Sequence, residues 1–130
     1  AEELRMAFAA RQLALVLLAS PTTPEARIQR LCRDAAGYLY YVRFNGVTGA
    51  NQLLDIGAAS GRLRQLRQAS PVPVVAGFGI NDAASAAAMA VDADGVVVGS
   101  ALVAALATAA DPAAAAGAFL APLRKALDAL

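Results

Sequence analysis

The stretch that decides the fold is Pro71–Asp82, PVPVVAGFGIND. Its valines suit a buried strand, because β-branched side chains pack well on a pleated surface. Two glycines then bracket Phe78, and Asn81 and Asp82 are residues of the kind that cap a helix. Glycine carries an entropic penalty on ordering, so Gly77 and Gly79 need a reason for standing where a strand ends. The pattern supplies one. Backbone N–H groups without a Cβ in the way can approach an anion at the start of a helix.

Outward from this stretch, the same order of strand, junction and helix recurs. LALVLLA (Leu13–Ala19) leads to TPEARIQRLCRDA, and GYLYYVRF (Gly37–Phe44) leads through a loop to GRLRQLRQA. After the third unit, DGVVVGS (Asp94–Ser100) leads to ALVAALATA and, past Asp111 and Pro112, to PAAAAGAFLAPLRKALDAL. Continuous apolar strand runs predict burial on both faces, hence a parallel sheet. Thr23 before Pro24, and Asn81 or Asp82, read as helix starts. The sequence therefore predicts an α/β fold of four βα units, one domain over residues 1–130. A (β/α)8 barrel needs eight such units. Four make half a barrel with open edges, which predicts either self-association or membership of something larger.

Three junctions carry glycine on what would be one edge of the sheet: NGVTGA (Asn45–Ala50), AGFGIN (Ala76–Asn81) and VGSAL (Val98–Leu102). Ligands bind at this edge in parallel α/β folds. Side by side, the junctions form a backbone-built phosphate cradle to which the Ser100 hydroxyl adds a donor. Phe78 reads equally as a core plug or as a wall for the apolar part of a ligand. Tyr40 reads as core first and ligand contact second.

Bulk properties narrow the function. The chain of 130 residues is 58% hydrophobic and 16% charged, with net charge +1. No apolar run approaches the roughly 20 residues that span a bilayer. Basic residues are scattered, without the clustered patch and aromatic platforms of a nucleic-acid surface. The single cysteine, Cys32, forms no internal disulfide and fits a reducing cytoplasm. With no histidine, imidazole metal sites and Ser–His triads are excluded within this chain. Nothing in the residues calls for a metal or cofactor.

PTTPEARIQ, GYLYYV, GVTGA, VAGFGI and DGVVVGSALV, in this order and spacing, resemble the tryptophan synthase α-subunit family. The resemblance runs from about Glu2 to Leu106. It implies a TIM-barrel lyase of tryptophan biosynthesis that cleaves indole-3-glycerol phosphate to indole and glyceraldehyde 3-phosphate. Its partner is a pyridoxal-phosphate-dependent β subunit. The four strands here then correspond to the fifth to eighth of that barrel. Gly49, Gly79, Gly99 and Ser100 fall on phosphate-binding positions, Tyr40 and Phe78 on positions near the substrate's indole and glycerol parts, and Thr48 on a mobile loop.

Two departures stand out. Arg43 and Phe44 occupy the place of the family's usual Ser-Arg pair, and Asp92 stands where glycine is usual, in a left-handed helix end. The family's two acid–base carboxylates lie in units that these 130 residues do not match. The acids present agree with that: Glu2, Glu3, Glu25, Asp34 and Asp128 read as helix faces or ends, Asp92, Asp94 and Asp111 as turns, and Asp82 as a cap. Asp55 alone is placed to swing toward a ligand. No catalytic residue is expected within this chain. Two other readings remain: a fragment of another phosphate-binding biosynthetic barrel, and a non-catalytic half-barrel assembly module.

Overall fold

The computed structural model describes residues 2–42 and 52–130, with backbone alone for 52–59. The elements run α1 (Glu2–Ala9), β1 (Leu17–Ala19), α2 (Glu25–Asp34), β2 (Leu39–Tyr41), α3 (Gln52–Ala69), β3 (Val74–Ala76), α4 (Ala83–Ala90), β4 (Gly95–Val96), α5 (Ser100–Ala107) and α6 (Pro112–Asp128). The strands form one four-stranded sheet in the order β1-β2-β3-β4, every pair parallel. Strand order equals chain order, so each crossover moves one place in the same direction, the progression of a (β/α) barrel wall.

The strands are shorter than their apolar runs, and they alternate in burial. Ala19, Leu39, Tyr41, Val74 and Ala76 are buried beneath the helices with Ile28, Leu31, Leu63, Leu66 and Ala93. The other face carries a row in register, Leu18, Tyr40, Val75 and Gly95. Leu18 is 49% exposed, and Tyr40 and Val75 are half-buried. The expectation of burial on both faces is thus corrected: among the described residues helices cover one face only. Hydropathy reports that both faces avoid water but not what covers each.

A second cluster holds the C-terminal helices. Ile80, Ala86 and Leu123 are buried with Met89, Val96, Val98, Phe119 and Leu127 against them, and the small Ala86 lets α4 and α6 approach closely. Asp111 starts α6 by accepting from the Ala114 amide at 3.1 Å, with Pro112 in the first turn, where a missing N–H costs nothing.

Two local expectations change. Thr23 does not cap α2: its Oγ1 accepts from the Ser20 amide at 2.9 Å, and Pro24 takes the cap position in extended geometry. Asp92 is not left-handed, since Gln12 is the only non-glycine with positive φ among the described residues. It is instead nearly buried, its Oδ1 2.9 Å from Arg64. Next to it, Asp94 Oδ1 accepts from Arg67 Nε at 2.9 Å and Oδ2 from the Val74 amide at 2.9 Å. These charges gather where β3 and β4 begin, the edge that reads as stability in such sheets.

Candidate functional site

Because all strands are parallel, the junctions after β3 and β4 lie on one edge and are neighbours. The third expected junction, with Thr48 and Gly49, lies outside the described residues, as do Arg43 and Phe44. The Asp55 side chain does too.

After β3, Gly77 and Gly79 meet different demands. A Cβ on Gly77 would stand 2.3 Å from the Tyr40 hydroxyl oxygen, so glycine is required by the tyrosine lying across it. The Gly77 amide donates to the Tyr41 carbonyl at 3.1 Å and is therefore taken. Gly79 has φ of +64°, the left-handed region that favours glycine, and a Cβ there would meet nothing within 4 Å among the described residues. Phe78, between them, is half-buried, its ring centroid 6.0 Å from that of Tyr41 and tilted by 56°.

After β4, Gly99 precedes Ser100, the first residue of α5. Its φ of −117° lies outside the left-handed region, and among the described residues a Cβ would again meet nothing within 4 Å. Packing among the described residues does not ask for glycine at this position. Glycine here leaves open space directly in front of a helix N-terminus. Among the described residues no carbonyl accepts from the amides of Gly79, Gly99 or Ser100.

The two rim helices differ in how their first turns are satisfied. At α4, Asp82 Oδ1 accepts from the Ser85 amide at 2.7 Å, and Ser85 Oγ accepts from the Asp82 amide at 3.2 Å, a reciprocal capping box. The Ser85 amide, with the Ser85 hydroxyl after it, holds the Asp82 carboxyl below its ordinary pKa. An anion approaching α4 meets that carboxylate. At α5, Gly99 is the cap residue and no side chain bonds to the first turn. The N–H donors and partial positive charge of α5 are thus left for another acceptor.

Elsewhere the described residues offer less chemistry. No group of three or more His, Cys, Asp or Glu side chains could hold a metal among them, and no helix is long and apolar enough to cross a membrane. Cys32 is half-buried, and desolvation, then the charge of Glu25, pushes its thiol pKa up, away from the nucleophilic form. A groove of about 310 Å³ between α2 and α3 is lined by Glu25, Ile28, Arg62 and Gln65, among others. It belongs to the helical layer, where Arg62 bonds the Thr23 carbonyl at 2.8 Å and Glu25 at 3.2 Å.

The fold and this edge define a class: a run of βα units from a (β/α)8 barrel. Its backbone matches the tryptophan synthase alpha chain of Legionella pneumophila with a TM-score of 0.81 at 32% identity, over 98% of this chain and 47% of that one. Tryptophan synthase from M. tuberculosis matches with a TM-score of 0.77 at 26% identity. The chain belongs to the tryptophan synthase alpha chain family, whose model matches residues 1–127. It is 67% identical over 132 aligned residues to the alpha chain of Xanthomonas campestris pv. campestris, and 71% identical over 103 to that of Xanthomonas oryzae pv. oryzae. Those alignments span 99% and 79% of this chain but 48% and 38% of the relatives, so the chain spans less than half the length of the curated relatives it matches.

Sequence reasoning missed one residue of this edge, Tyr41, and one consequence of a cap it had read. Tyr41 was not separated from Tyr40, although adjacent strand residues face opposite sides of a sheet and must have different neighbours. The consequence of an Asp82 cap for an incoming anion also went unread, although Asp82 and Ser85 at that spacing carry the signal.

Proposed function

We propose that this chain forms the phosphate-holding part of an indole-3-glycerol phosphate lyase, the tryptophan synthase α activity that yields indole and glyceraldehyde 3-phosphate. One observation carries the reading: α5 begins uncapped at Gly99–Ser100, beside the left-handed Gly79, on the edge where parallel sheets bind ligands. The substrate's phosphate takes the amides of Gly79, Gly99 and Ser100 with the Ser100 hydroxyl, and Gly49 adds to them from the preceding junction. Tyr40 and Phe78 flank the rest of the ligand, and the loop with Thr48 closes over it. The carboxylates that move protons come from outside these 130 residues, so the chain alone binds without turning over.

The work takes place in the cytoplasm. The partner is the β subunit, which receives the indole. Unless the other half of the barrel is supplied, the chain associates with itself across its open edges.

Glycerol phosphate tests the reading. It should raise the melting temperature of the 130-residue chain, and Gly79→Val should remove the shift. No shift in the wild-type chain contradicts it. Lyase activity should appear only when a protein supplying the remaining strands is mixed in; equal activity with and without that addition contradicts the division of labour.

A further inference from the structure

We infer that Tyr41 is a positioning residue for Phe78 and thereby sets how well the rim grips the aromatic part of a ligand. The inference rests on the ligand reading above and extends it to a residue on the helix-covered face of the sheet. Phe78 lies between two glycines, so its neighbours contribute no side chains to steady it, and Gly79 is left-handed. Left to itself, such a segment samples many backbone and ring orientations.

Tyr41 holds it twice. Its carbonyl accepts from the Gly77 amide at 3.1 Å, fixing the backbone where the loop departs. Its ring meets the Phe78 ring at 6.0 Å between centroids and 56° between planes, within the range of favourable tilted aromatic pairs. Tyr41 is itself fully buried, packed in the core with Leu39, Val74 and Ala76, so it is a fixed support. Tyr40, one residue earlier, reaches the same loop from the opposite face, with its ring over Gly77. Consecutive tyrosines thus hold the loop from both sides. A branched aliphatic at 41 would keep the core apolar but lose the ring contact, and with it the pre-set orientation that an aromatic ligand group uses.

The test compares the wild-type chain with Tyr41→Phe and Tyr41→Leu, each titrated with glycerol phosphate and with indole glycerol phosphate. Tyr41→Leu should weaken the indole-bearing ligand about three- to tenfold while leaving glycerol phosphate within about twofold. Tyr41→Phe should keep the wild-type ratio of the two affinities. Equal losses for both ligands, or no loss for either, overturn the proposal. A second arm needs no ligand: NMR relaxation of the Phe78 ring should report order in wild type and Tyr41→Phe, and freedom in Tyr41→Leu. An unchanged ring in Tyr41→Leu overturns the positioning role. If glycerol phosphate fails to bind the wild-type chain, the phosphate reading falls and the ring-order arm still decides for or against Tyr41. Tyr41→Met, longer and unbranched, stands in if leucine does not fold.

Discussion

A methyl group on Gly77 has nowhere to go, because the Tyr40 ring and hydroxyl already occupy its place at 2.3 to 2.8 Å. Gly77→Ala should therefore displace Tyr40 and lower stability by about 1–3 kcal/mol, as overpacking does. Gly99→Ala meets no described atom within 4 Å, so its stability should stay within about 0.5 kcal/mol of wild type while its affinity for glycerol phosphate falls. Urea midpoints separate the two, and a Gly77→Ala protein as stable as Gly99→Ala would contradict the Tyr40 geometry. Gly79→Ala falls between them, with about 1–2 kcal/mol from the left-handed backbone alone. Sequence placed Gly77 and Gly79 at a strand end, but their separate causes were not legible there. One depends on a side chain from β2 lying across the loop and the other on a dihedral angle, and neither leaves a mark in the local composition.

The start of α4 predicts a pH dependence. Bonds from the Ser85 amide and hydroxyl keep the Asp82 carboxyl below its ordinary value, so its folded pKa is lower than its unfolded one. The stability it contributes is complete above the unfolded value of about 4 and is lost as pH falls through the folded one. Asp82→Asn, which still caps, should flatten that part of the profile. Melting curves from neutral to acid pH check this through the difference between the two proteins; parallel profiles would contradict it. At the opposite edge, Asp94→Ala leaves the fully buried Val74 amide without its acceptor and frees Arg67. It should cost about 1–3 kcal/mol, read as a lower denaturant midpoint.

The βα order was legible because each apolar run is followed by a helix with recognisable start residues. The strand lengths were not, since LALVLLA carries the same hydropathy through Leu13–Val16 as through the three residues that pair. Asp92 lies in the turn its neighbours suggest, but its left-handed geometry does not hold, and its bond to Arg64, twenty-eight positions earlier, is not legible locally. The α5 rim could be expected from VGSAL, since Gly99 has no side chain to cap the helix, whereas Asp82 takes that role at α4.

At the scale of the whole molecule, one sheet face is packed and the other presents Leu18, Tyr40 and Val75 in a row. The matched barrels are about twice as long as this chain, which covers 47% of the Legionella pneumophila alpha chain. Eight strands close such a barrel, and their inward side chains fill its interior. The 130-residue chain in isolation should therefore self-associate, and light scattering should give the mass of a pair. Leu18→Lys should shift that mass toward one copy. A well-folded monomer of the unsubstituted chain would contradict this. The packed face and the rim are built within these residues, whereas a closed barrel interior needs eight strands, and on the proposed reading this is what separates phosphate binding from proton transfer.

The most direct measurement is to follow the backbone amide resonances of the 130-residue chain as glycerol phosphate is added. The account predicts that the largest saturable shifts fall on Gly79, Gly99 and Ser100, with α4 beyond Asp82 little moved. Shifts centred on the α2–α3 groove, or none at the rim at saturating ligand, would contradict it.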